Sequence, residues 1–239
     1  MEATYNLKSI VLQREPWQEN NTKVIVYSSD FGRVELIARG TQKISSKLAP
    51  HLEPITLTNI MAIRGRKGDY VGGAISENCF PEIKNNLEKI YAAGSAIKIF
   101  SKLMSHHEKD ERIFDLLLNF LLALSELDTE KNKQLNYDFL KSIFVFKLLS
   151  LLGYEPQLFE CVSCGKKITP GNNKFDYARS GIVCANCFSA DGVITDTAIK
   201  VLRLFSENGM EDIIRIKIEE DLMVEVIDIV SRYQLQILS

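Results

Sequence analysis

Cys161-Val-Ser-Cys164 and Cys184-Ala-Asn-Cys187 are two cysteine pairs, and 19 residues lie between Cys164 and Cys184. Two residues between paired cysteines let both sulfurs of a tight turn point at one centre. Two such turns supply the four ligands of a tetrahedral zinc ion. Protein would fill every position, leaving none for water or substrate, so the expected cofactor is one structural Zn2+. The four thiolates outweigh the charge of the ion, and Lys166, Lys167, Lys174 and Arg179 lie between the pairs to offset the excess. Gly165 follows the second cysteine, where a positive φ lets backbone N–H groups approach sulfur. The segment 159–190 has few apolar residues and should lose its form without metal. A redox pair or unrelated buried thiols are the other readings of these four residues. Cys79 stands alone at a strand end and reads as a small buried hydrophobe.

A second kind of chemistry is electrostatic. Between Arg39 and Lys67 the basic residues are Arg39, Lys43, Lys47, Arg64, Arg66 and Lys67, against the single acid Glu53, a local charge of +5. From Glu207 to Ser239 eight acids face three bases, a local −5. The whole chain carries only −2, so any nucleic-acid contact must come from a local patch. Lys and Arg on such a patch neutralise phosphates and release counterions without reading sequence. Tyr5, Trp17, Tyr27, Phe31 and Tyr70 are candidates for base stacking, or else core and packing aromatics.

Other constellations are absent. There is no G-x4-GK[ST], G-x-S-x-G or H-E-x-x-H. His106 and His107 are adjacent, and with His51 they are the only histidines. On a helix adjacent residues point roughly 100° apart and cannot share a metal, so a solvated loop is expected there. Gly72-Gly73 reads as a strand bend.

The elements that must position these residues change character once. Up to about residue 80 the segments Tyr5–Gln13, Lys23–Tyr27, Arg33–Ala38, Ile55–Ile63 and Tyr70–Cys79 are rich in Val, Ile, Thr and Tyr, with turn residues between them. Five short strands suit a small barrel of the OB type. Pro81-Glu82 opens a helical region that reaches Gly153. Leu87, Ile90 and Tyr91 mark one helix face, Ile97, Phe100 and Leu103 another, and Ile113–Leu124 a broad stripe. Phe139–Leu152 is apolar nearly all round and predicts a buried central helix. Helix resumes at Asp196–Phe205 and near Leu222–Leu238, while Ile213–Ile218 alternates and is open between strand and helix. The fold class is α+β: a five-stranded OB-fold barrel (1–80), a helical domain (81–158), a four-cysteine zinc-finger insertion (159–190), and C-terminal helices packed on the helical domain (191–239). The 239 residues, 46% hydrophobic and 25% charged, suffice for a sizeable core. The N-terminal stretch lacks a basic region followed by an apolar run, and no uninterrupted apolar stretch is long enough to span a bilayer, so the cytoplasm is the expected compartment.

With these residues in view, the chain resembles the RecO family of recombination mediators. Ile10-Val-Leu, Phe31-Gly-Arg, Ala38-Arg-Gly40 and Lys47-Leu-Ala-Pro-His-Leu-Glu-Pro54 are similar to that family's N-terminal domain. Leu151-Leu-Gly-Tyr154, Pro156, Leu158, Cys161-Val-Ser-Cys-Gly165, Phe175, Gly181 and Cys184-x-x-Cys187 are similar to its junction of helix and zinc finger. The resemblance implies a protein that binds single- and double-stranded DNA and anneals complementary strands. It implies partners: RecR-like and RecF-like proteins, single-strand-binding protein, and the RecA recombinase loaded onto strands. It implies no bond cleavage, hence no catalytic residue. Arg39, Lys43, Lys47, Arg64, Arg66 and Lys67 are the implied DNA contacts. The sequence departs from the family's pattern in the looser basic cluster Gly40-Thr-Gln-Lys-Ile-Ser-Ser-Lys47 and in lacking a basic Lys-Ser element after the last helix. A protein-interaction scaffold stapled by zinc, and a divalent-dependent nucleic-acid enzyme, are the competing readings.

Overall fold

The computed structural model describes residues 3–104, 109–128, 136–187 and 192–239. His106 and His107 lie outside these residues, as do the last three of the 159–190 segment. The chain divides into two compact units, Met1–Ser125 and Glu126–Ser239.

In the first unit, β1 (Thr4–Trp17), β2 (Asn21–Ser28), β3 (Gly32–Ala38), β4 (Thr56–Ile63) and β5 (Asp69–Asn78) close into a barrel in the order β1-β2-β3-β5-β4. This is the five-stranded ring expected from the sequence. β1 serves two neighbours. Thr4–Val11 pair with β4 and Ser9–Trp17 with β2, and a register shift between Val11 and Gln13 turns the strand from one to the other. The seam is parallel and short: Leu36 opposes Asp69 and Ile37 opposes Tyr70. Strand alternation sends Leu7, Val11, Val24, Val26, Leu36 and Ile60 into the barrel. Gly72 lies where β5 shifts register against β4, and a Cβ there would sit 2.8 Å from the Ile63 and Met61 side chains. The bend expected at Gly72-Gly73 is therefore a bulge, over which the ends of the Ile63 and Met61 side chains close.

Pro81 opens α1 (Pro81–Lys84), which ends after four residues. Helix restarts as α2 (Leu87–Leu103), whose first turn is capped by the Asn86 side chain accepting from Lys89 N at 3.1 Å. α2 lies on the outer face of the barrel: Tyr27 of β2 is fully buried, its ring 4.9 Å from Phe100 and edge-on to it. α3 (Glu111–Glu126) ends where Lys89, itself buried, donates to the Ser125 carbonyl at 2.8 Å and satisfies an orphan acceptor of the last turn.

In the second unit α4 (Tyr137–Leu151) is buried along most of its length, as its sequence predicts. It packs with α5 (Asp196–Glu207) and α7 (Glu220–Leu238). Phe205 of α5 makes edge contacts with Phe139 and Phe146 at 5.7 and 5.6 Å. Lys147, on this otherwise apolar helix, donates to the Phe205 carbonyl at 2.7 Å. The alternating Ile213–Ile218 is not a strand. α6 (Met210–Ile213) ends there in a turn, and the next helix begins at Glu220. Before α5 a small sheet forms from β6 (Lys174–Asp176), β7 (Gly181–Val183) and β8 (Gly192–Val193), in the order β7-β6-β8. No helix among the described residues is long and apolar enough to cross a membrane.

Candidate metal centre and nucleic-acid interface

The four paired cysteines meet. The sulfurs of Cys161, Cys164, Cys184 and Cys187 all lie within 4.8 Å of one another, and those of Cys164 and Cys184 are 3.9 Å apart. One metal ion would reach all four. Each pair forms a turn closed by its own backbone: Gly165 N donates to Cys161 O at 2.8 Å and Cys187 N to Cys184 O at 2.9 Å. Gly165 takes φ +70, the left-handed conformation expected of it. Cys161 is buried and Cys164 exposed, with Cys184 and Cys187 between these extremes.

The electrostatics of the cluster call for a cation. Burial disfavours a Cys161 thiolate, but backbone N–H groups of Cys184, Cys164 and Ser163 outweigh it and bring the thiol down to about 6. Hydrogen bonds with the Cys164 and Cys184 side chains push the Cys187 thiol up to about 12. Four sulfurs this close cannot all ionise on their own, and a divalent ion in their midst removes the obstacle.

The frame around the cluster is strapped rather than packed. Gln157 N donates to Ser180 O at 2.8 Å, Ile182 N to Gln157 O at 2.9 Å, and Val162 N to Ile182 O at 2.9 Å, lashing the first cysteine turn to β7. A Cβ on Gly181 would come within 2.6 Å of the Gln157 carbonyl, so this position requires glycine. Phe175 anchors the small sheet on α7, its ring 5.7 Å from Tyr233, whose hydroxyl donates to Tyr154 O at 2.8 Å. Arg203 of α5 holds the Leu158 carbonyl at 2.7 and 3.1 Å. Of the four cations between the cysteine pairs, Arg179 reaches the first turn, with Nη1 3.5 Å from Ser163 Oγ.

On the barrel, Arg39, Lys43, Lys47, Arg64, Arg66 and Lys67 are all exposed, and among the described residues none is in a salt bridge. Glu53, the one acid of this stretch, is paired with Arg14. The short seam brings the end of β3 to the hairpin between β4 and β5. There the Arg39 guanidinium lies over Tyr70, 4.1 Å from the ring centroid. A Cβ on Gly65 would meet the same ring at 2.5 Å, so the hairpin backbone rests on Tyr70. Arg64 leans over Tyr5 at 5.6 Å, and Tyr5 donates to Asp69. Arg39 and the Arg64–Lys67 hairpin are thus one neighbourhood around Tyr70.

Lys43 follows within a turn of Arg39, with its N donating to Gly40 O at 3.2 Å. The root of this loop is pinned to the β1–β2 turn: Gly40 N donates to Asn21 Oδ1 at 2.9 Å and Gln42 N to Asn20 O at 3.1 Å. Lys47 lies at the loop's far end, just before the 3-10 turn Ala49–Leu52, and no described contact ties it to the hairpin. Ile44, at the loop tip, is fully exposed.

The aromatic candidates divide. Tyr27 is excluded as a stacking surface, because α2 covers it. Tyr5 and Tyr70 are half-buried, with cations over their rings, and Tyr5 also touches Phe31 at 5.0 Å. Trp17 and Phe31 are exposed. Cys79, expected to be buried, is exposed. Phe80, at φ +47, turns the chain inward and takes the buried place itself.

Comparison with known proteins matches residues 1–73 to the family described as recombination protein O N terminal, and residues 84–238 to recombination protein O C terminal. A DNA repair protein RecO of Roseiflexus sp. is 29% identical over 213 residues, covering 88% of this chain and 72% of that protein. One of Dehalococcoides mccartyi is 27% identical over 224 residues, covering 93% and 86%. One of Rubrobacter xylanophilus is 31% identical over 187 residues, covering 78% and 73%.

Proposed function

The chain belongs to the RecO family of DNA repair proteins, and on that premise we propose that it binds single- and double-stranded DNA, anneals complementary strands and helps load a recombinase. Annealing needs charge neutralisation and accessible bases, and no catalytic group. The contacts are Arg39, Lys43, Lys47, Arg64, Arg66 and Lys67 on the barrel. One observation carries this reading: Arg39 and the cations of the Arg64–Lys67 hairpin are exposed, outside any described salt bridge, and brought together around Tyr70 by the β3–β5 seam. Guanidinium and ammonium groups outside ion pairs are available to phosphate without breaking a salt bridge.

The ion proposed for the four cysteines is Zn2+. A tetrahedron with Zn–S bonds of about 2.3 Å has sulfur–sulfur edges of about 3.8 Å, and the Cys164–Cys184 separation is 3.9 Å. Bound there, the ion would serve as a structural staple for residues 159–190. Residues 1–80 are the DNA-binding domain in this reading, with 81–158 and 191–239 as helical support. RecR-like and RecF-like proteins and single-strand-binding protein are the expected partners, and the bacterial cytoplasm, at the nucleoid, the expected location.

The test is fluorescence anisotropy with a labelled strand of about 30 nucleotides at low salt, followed by annealing without nucleotide, each with and without a RecR-like protein. Binding that weakens steeply with salt supports the reading. No binding at low salt refutes it and favours the scaffold alternative, which predicts partner capture alone.

A further inference from the structure

The site has a direction, written in the strand registers; this inference rests on the DNA-binding reading above. Lys23 opposes Ile37 across β2 and β3, and Ile37 opposes Tyr70 across β3 and β5. Their chain neighbours Val24, Leu36, Ala38 and Val71 face the barrel interior, so Lys23, Ile37 and Tyr70 stand together on the outer face. A cation sits over an aromatic ring at each end of this row. Arg39 covers Tyr70 at 4.1 Å, and Lys23 Nζ lies 5.0 Å from the centroid of Trp17. At the usual spacing of paired strands, about 4.8 Å, the row from β5 across β3 and β2 to β1 is about 14 Å long.

Trp17 lies at the β1 end of the row, two residues beyond Glu15, which opposes Lys23, and is 40% exposed. It closes β1 at a hairpin whose next residues include Gln18 and Asn20, both at positive φ. An indole at such a tip leaves much of its ring in water, with Lys23 over it. Glu15 and Glu35 are acids on this face: Glu15, opposite Lys23 on β1, accepts from Gln13 Nε2 at 2.6 Å, and Glu35 is paired with Lys23 at 3.1 Å and Arg33 at 3.8 Å, which reduces its repulsion of a phosphate.

We propose that Trp17 is the base-stacking platform at one end of the strand path. A single strand enters at the Arg64–Lys67 hairpin, crosses Tyr70 and β3, and lays a base on the indole where Lys23 now sits. Stacking on an indole accepts any base, and needs a base free of a duplex. Length fits the short end of the range of about 4–16 nucleotides held by one barrel of this type.

Trp17 is the only tryptophan in the chain, so its emission reports on the site alone. Oligothymidylate of about 15 nucleotides is titrated into the full protein while emission is recorded, with a matching anisotropy titration of the labelled strand. Quenching should saturate with the anisotropy. Trp17→Ala should weaken single-strand binding by about 5- to 150-fold with the salt dependence unchanged, because no charge is removed. It should weaken duplex binding much less, and Trp17→Phe should retain most single-strand affinity. An unchanged thermal melt of both variants shows that the barrel is intact. If the strand binds by anisotropy while emission stays constant, or if Trp17→Ala binds like the parent protein, the path is wrong and the DNA-binding reading survives. If no strand binds by anisotropy, both fall.

Discussion

Alanine at Lys43, Lys47, Arg64 and Arg66 together should change the salt dependence of binding more than the protein's stability. Each phosphate neutralised on a single strand contributes about −0.7 to the slope of log K against log salt. Six contacts give a slope of about −4, and the two left in the variant, Arg39 and Lys67, give about −1.4. Between 50 and 200 mM salt the parent protein should therefore lose roughly 300-fold in affinity and the variant roughly 7-fold. All four side chains are exposed, and only Arg64 has a described ring contact, with Tyr5 at 5.6 Å. Removing that contact costs about 0.5–1 kcal/mol, so the melting temperature should shift by a few degrees at most. The assay is anisotropy against one labelled strand at several salt concentrations. A variant whose slope matches the parent's would mean that the phosphates are held elsewhere on the molecule, and the contact map would be abandoned.

Cys184→Ser should reduce bound zinc from one equivalent to a small fraction, measured by elemental analysis. Protease should then cut between residues 159 and 187 while the barrel stays resistant, because among the described residues only Cys161 and Val183 are buried in the cluster's own small core. Gly181→Ala should destabilise the protein by about 1–3 kcal/mol in urea denaturation, since the new Cβ would lie 2.6 Å from the Gln157 carbonyl. Tyr5 should titrate late: burial, then the hydrogen bond to Asp69, push its hydroxyl up to about 12. The folded state thus holds that proton more tightly than the unfolded chain. The contribution to stability is complete below pH 10 and is lost as pH rises towards 12. Absorbance titration should show one delayed tyrosine, and Asp69→Asn should bring it down.

The two cysteine turns were legible because their chemistry is local: spacing alone decides whether two sulfurs of one turn converge. The barrel strands were legible because β-branched residues and turn residues alternate in short runs, and four of the five predicted segments match to within two residues at each end. The exception, β1, continues to Trp17, four residues past Gln13, because its bulge lets one strand serve two neighbours. Tertiary partners were not legible. Tyr27 reads like any strand aromatic until α2 lays Phe100 against it. Leu87, Ile90 and Tyr91 have the spacing of a core face, yet Leu87 and Tyr91 stand 82% and 72% exposed, because α2 buries the side carrying Ala92, Ala93 and Ala96. Ile213–Ile218 alternates over too few residues to choose an element. The strands of the cysteine module, two or three residues long, are set by the turns they join and leave no pattern of their own. The meeting of Arg39 with the β4–β5 hairpin depends on the β3–β5 pairing, a contact between segments some thirty residues apart in the chain.

That pairing joins only two residues of each strand, against seven or more at every other junction of the ring. A cylinder of strands opens first where it is least laced, so the amides of Leu36, Ile37, Asp69 and Tyr70 should exchange with deuterium sooner than those between β1 and β4. Arg39 lying on Tyr70 spans this gap from the outside. A strand held by Arg39 and by the hairpin grips both lips of the gap at once, so occupancy there works as a clasp: the ligand that needs the ring closed also slows its opening.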